Sequence, residues 1–71
     1  MLQKKLLINE LNSGKEFDVY VDNHLLQFKN KALIINKCMI TDINAIIKMI
    51  DDLIEENDAV WITINEKKFL L

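Results

Sequence analysis

From Phe17 to Asp22 the chain alternates apolar and polar positions. Phe17, Val19 and Val21 are interleaved with Asp18, Tyr20 and Asp22, the period of a strand with one buried face. Asp22-Asn23 suits a two-residue turn, because both residue types tolerate positive φ. Closing a hairpin there pairs Val21 with His24, Val19 with Leu26 and Phe17 with Phe28. All six fall on one face, so turn and pattern agree on a single register. Tyr20 and Leu25 pair on the other face.

A second hairpin is expected near the end of the chain. Ala59–Ile64 is rich in β-branched and aromatic residues, which favour a strand. Asn65-Glu66 is a weaker turn than Asn-Gly, yet closing there is again self-consistent. Ile64 then faces Lys67, Ile62 faces Phe69 and Val60 faces Leu71 on one side. Trp61 with Leu70, and Thr63 with Lys68, lie on the opposite side. Between the hairpins, the polar break Lys29-Asn30-Lys31 precedes Ala32–Ile35 and Cys38–Ile40. These are read as one further strand, bent near Asn36-Lys37.

Helical periodicity dominates the stretch between them. Ile43, Ile46, Ile47, Ile50, Leu53 and Ile54 form one apolar stripe. Thr41 or Asp42 is positioned to cap it, and Asn57 to stop it by tolerating a left-handed conformation. Leu2, Leu6, Leu7 and Leu11 predict a shorter helix over residues 2–12, stopped by Gly14. A strand over Lys5–Asn9 remains the alternative, since Leu6-Leu7-Ile8 is too short for periodicity to decide. The expected class is α+β, in the order αβββαββ. An antiparallel sheet of two hairpins plus one further strand is packed by one long amphipathic helix and a short N-terminal one.

Length narrows this to a single domain over residues 1–71. So small a chain buries only about 60% of the surface its unfolded form exposes, so a stabilising device is expected. Cys38 is the only cysteine, which rules out an intrachain disulfide and argues against an oxidising compartment. His24 is the only histidine, so a zinc site lacks its usual ligands. Self-association remains. The longest apolar run is far short of the roughly 20 residues a membrane helix needs. Leu6-Leu7-Ile8 is too brief for a secretion signal. A cytoplasmic protein with no membrane partner is therefore expected.

Charge excludes a further class. The net charge is −2, and all nine basic side chains are lysines. Arginine supplies the bidentate contacts that clamp phosphate and read guanine. An acidic chain without it is not expected to bind nucleic acid directly. The weight of Ile, Asn and Lys is of the kind found in AT-rich phage and mobile-element genes.

Candidate chemistry is sparse. A Cys–His pair needs the two side chains within hydrogen-bond reach and a third group to orient the imidazole; nothing brings Cys38 to His24, and a lone cysteine is more often a small buried hydrophobe. Gly14 stands alone, so no Gly-rich phosphate loop exists, and the spacing of an EF-hand is absent. No catalytic, cofactor or metal site is expected, and no enzyme. Two surfaces could instead bind protein. Asp51, Asp52, Glu55 and Glu56 place like charges at i, i+4 near a helix C-terminus, against both local repulsion and the macrodipole. A solvated face explains them, and so does an acidic patch fitted to a basic groove. Tyr20, Leu25, Trp61 and Leu70 lie on the face opposite Phe17, Val19, Ile62 and Phe69. They form an interface centre if uncovered, and core if the first helix covers them. The expectation is a non-enzymatic binding protein that docks on another protein. A phage or mobile-element inhibitor of a host nucleic-acid-handling machine, such as an anti-CRISPR, fits. A structural or regulatory homodimer, or an accessory subunit of a larger enzyme, is the alternative.

Overall fold

The computed structural model describes residues 4–71. Leu2, the first apolar position of the expected N-terminal helix, lies outside them. In chain order the elements are α1 (Lys4–Asn12), β1 (Phe17–Val21), β2 (His24–Lys29), β3 (Ala32–Ile35), β4 (Cys38–Ile40), α2 (Ile43–Glu56), β5 (Trp61–Ile64) and β6 (Lys67–Leu70). The strands form one six-stranded sheet in the order β4-β3-β2-β1-β5-β6, and every neighbouring pair is antiparallel.

Both hairpins close in the expected register. Val21 faces His24, Val19 faces Leu26 and Phe17 faces Phe28. Ile64 faces Lys67, Ile62 faces Phe69 and Trp61 faces Leu70. Regular pairing begins at Trp61, two residues later than Ala59, but the Leu71 amide still donates to the Val60 carbonyl at 3.0 Å. The third strand differs from expectation. Asn36 and Lys37 both have positive φ, at 49° and 67°, and form a two-residue turn that splits the segment into β3 and β4. The same Asn-Lys dipeptide turns the chain at Asn30-Lys31, with φ of 53° and 62°. An Asn at the first turn position tolerates this conformation, and it matches the strand twist that two-residue hairpins require.

Residues 4–12 are helical, so the strand alternative over Lys5–Asn9 falls. Gly14, at φ 76°, terminates α1, and its amide donates to the Leu11 carbonyl at 3.2 Å. Asp42 is the cap of α2, accepting from the Asn44 amide at 3.0 Å. The helix α2 ends at Glu56 with Asn57 as its C-cap, where it is expected to end, but the left-handed residue is the next one. Asn57 has φ −103°, and Asp58 takes the left-handed conformation at 47°. The Ala59 amide then reaches the Ile54 carbonyl at 3.0 Å, and the Asp58 amide the Glu55 carbonyl at 3.3 Å, the paired bonds of a Schellman stop. The Asn57 side chain donates to the Leu53 carbonyl at 2.8 Å, which also accepts from the Asn57 amide at 3.1 Å, so Asn57 binds the helix end through both its backbone and its side chain.

Both helices pack on one side of the sheet. Leu7 and Leu11 of α1 and Ile46 and Ile50 of α2 share a single buried cluster with Phe17, Val19, Val21, Phe28, Leu33, Ile62 and Ile64. Phe17 and Phe28 stack within it, with centroids 4.7 Å apart. Ile43, Ile47, Leu53 and Ile54 flank the cluster half-buried. No helix among the described residues is long and apolar enough to cross a membrane.

Candidate docking face

The side of the sheet away from the helices has no cover among the described residues. Among the described residues, Ala32 is the one on it that is fully buried. The idea that α1 shields Trp61 fails, because the apolar edge of α1 is spent on the same core that α2 covers.

Strand registers assemble a continuous band on this open face. Tyr20 lies opposite Leu25 on one side and Thr63 on the other, Trp61 lies opposite Leu70, and Ile34 opposite Met39. Tyr20 is 38% exposed, Leu25 45%, Met39 56% and Leu70 80%, while Trp61 and Ile34 are half-buried. The band therefore runs diagonally from one edge strand to the other. Ile34 and Met39 escaped the sequence reading because a single bent strand leaves their facing undefined. The repeated Asn-Lys dipeptide was the signal that would have placed them.

Between β1 and β5 the face sinks into a shallow depression of about 750 Å³. Its floor carries Tyr20, Trp61 and Thr63, and Asp18, Asp22 and Glu66 stand around it. Alternation explains the arrangement. Asp18, Tyr20 and Asp22 are the outward positions of β1 and its turn, beside Thr63 and Trp61 on β5 and Asn65 of the turn that follows, whose side-chain amide donates to Glu10 of α1 at 3.2 Å. The Asn65 amide donates to the Asp18 carbonyl at 3.0 Å, and the Asp22 amide to the Trp61 carbonyl at 3.3 Å, which locks the two rows side by side. Glu16, also at the rim, pairs with Lys29 at 3.4 Å. Asp18, Asp22 and Glu66 have no cation within 4.0 Å among the described residues. The ammonium of Lys68 sits 5.0 Å from the centre of the Trp61 ring, a cation–π contact.

Comparison with protein-family models, curated proteins and solved structures found no match to this chain.

The second candidate surface lies on the far side of the molecule. Asp51, Asp52, Glu55 and Glu56 are all exposed on the outer side of α2, which packs on the covered face. Asp52 pairs with Lys48 at 3.3 Å. The aromatic and acidic sets thus lie on opposite faces of the molecule. The residues of conceivable nucleophilic chemistry also stay apart. Cys38 is exposed on an edge strand rather than buried as a small hydrophobe. Its row and that of His24 are two strands and two residues apart, roughly 12 Å at standard sheet spacings. His24 Nε2 instead lies 3.1 Å from Asn57 Oδ1, joining the first hairpin to the end of α2. No group of three or more metal-ligating side chains occurs among the described residues.

Proposed function

We propose that this protein is a small, non-enzymatic docking module whose partner surface is the open face of the sheet around Trp61. The observation that carries this reading is the uncovered apolar band from Met39 to Leu70 on a chain whose two helices both pack elsewhere. Binding energy concentrates in large aromatic anchors set among water-excluding neighbours, and Trp61 flanked by Tyr20, Leu25 and Leu70 has that composition. The acidic surround of the depression complements a basic partner, which accords with an inhibitor that caps the nucleic-acid-binding surface of a host machine. A face-to-face homodimer is disfavoured by the same charges, because like charges set against each other across an interface cost binding energy.

A photo-crosslinking amino acid at position 20 or 70, compared with one at position 48 on the outer side of α2, tests this. Adducts with a partner polypeptide should form in cells from positions 20 and 70 and not from 48, and Trp61→Ala should abolish them. Equal adducts from both faces, or adducts that survive Trp61→Ala, would overturn the reading.

A further inference from the structure

Resting on that docking reading, we infer that the depression between β1 and β5 receives an arginine side chain of the partner. Three properties of the site converge on a planar cation. Tyr20 and Trp61 occupy diagonal positions across the β1–β5 pair, which sets the bases of such side chains roughly 7 Å apart, within reach of each other's rings. A flat group held between two rings at about 3.5 Å from each needs attachment points of that spacing. Asp18, Asp22 and Glu66 surround the same depression without an ion-pair partner among the described residues. Asp22 Oδ1 accepts from the Val60 amide at 3.3 Å, so a fork of N–H donors meets chiefly the Asp18 and Glu66 carboxylates. The Trp61 ring already carries a cation, the ammonium of Lys68.

Guanidinium fits these demands better than ammonium. It is planar, stacks on aromatic faces, is weakly hydrated and presents donors that match carboxylates in pairs. This chain contains no arginine, so a second copy cannot supply the group, and the occupant is a different polypeptide. Lys68 then has a defined effect. Its ammonium on Trp61 repels the incoming cation, and removing its charge strengthens binding.

Trp61 is the only tryptophan, so its fluorescence reports the site directly. The probe is an acetylated, amidated hexapeptide of alternating arginine and glycine, titrated beside a copy with citrulline in place of arginine. Citrulline keeps the planar shape and loses the charge. The arginine peptide should shift Trp61 emission saturably and bind at least tenfold more tightly than the citrulline peptide. Asp18→Asn with Glu66→Gln should weaken it by three- to tenfold, and Lys68→Met should strengthen it by a few fold. Neutralising Asp51, Asp52, Glu55 and Glu56 together should change it by less than twofold. Equal binding of the two peptides, or an equal loss from the α2 neutralisation, would overturn the inference, the latter by showing that net charge alone is read. A concentration-dependent dimer in sedimentation that Trp61→Ala dissolves would also overturn it, by identifying a second copy as the occupant. If the crosslinks from positions 20 and 70 persist while arginine and citrulline bind alike, the docking face stands and only the arginine assignment falls. Loss of those crosslinks removes both.

Discussion

Val19 and Val21 of β1 are fully buried, while Asp18 and Tyr20, each one residue away, are exposed on the other side of the same strand. On β5 the contrast recurs, with Ile62 and Ile64 fully buried and Trp61 and Thr63 only half-buried. The inward rows are uniformly apolar and packed by two helices. The outward rows mix carboxylates, hydroxyls and two aromatic rings around a depression. The inward face carries the stability, where each fully buried aliphatic side chain contributes roughly 1.5–3 kcal/mol. The outward face is held in position by that packing and is free to be selected for binding. A large aromatic residue left on it costs little stability and gains only when a partner covers it.

Substitutions should separate the two faces sharply. The largest effect is expected at the centre of the covered side. Ile50→Asp places an unpaired charge in a fully buried site and should leave no cooperative melt by circular dichroism. Ile47→Asp and Leu53→Asp, on the half-buried flanks of the stripe, should destabilise less than Ile50→Asp. A folded Ile50→Asp variant would mean that the helix presents another side to the sheet.

Neighbouring residues on β5 give the most direct comparison. Ile62→Ala should cost about 2–5 kcal/mol, as large-to-small core substitutions do. Trp61→Ala, despite removing a larger side chain, should cost less than about 2 kcal/mol because its site is half open, and should keep a cooperative urea transition. If Trp61→Ala proves the more destabilising of the two, the open face is part of the core.

Smaller changes sharpen the account of the turns and helix ends. Lys37 adopts positive φ without being glycine. Lys37→Gly should therefore stabilise by about 0.5 kcal/mol, the relief of left-handed strain less the added freedom of the unfolded chain. At the acidic end of α2, Asp51→Asn with Glu55→Gln should add only a few tenths of a kcal/mol, and added salt should erase the difference. His24→Ala and Cys38→Ala should each leave docking intact, as measured by the crosslinks from positions 20 and 70.

Much of this was written locally. The alternation through Phe17–Asp22 and Trp61–Ile64, with an Asx residue at each turn, determines both hairpins down to their register, since a one-residue slip would turn every apolar side chain to water. The stripe from Ile43 to Ile54 determines α2 in the same way. Those periodicities also separate Tyr20 and Trp61 from the core side chains before any tertiary contact is known. Where local signals were degenerate, the chain alone did not decide. Asn36-Lys37 could have been a bend or a turn, and pairing of Leu33 with Ile40 makes it a turn. Which hairpins meet was undetermined, because alternation describes a strand's two faces and not its neighbours. The pairing of β1 with β5, between residues more than 40 apart in sequence, brings Tyr20 and Trp61 onto one depression. The side taken by α1 was open for the same reason, since Leu7 and Leu11 would satisfy an apolar surface on either face. Only the packed structure, with Leu7 and Leu11 in the same core as Ile46 and Ile50, commits α1 to one face and leaves Trp61 without a cover.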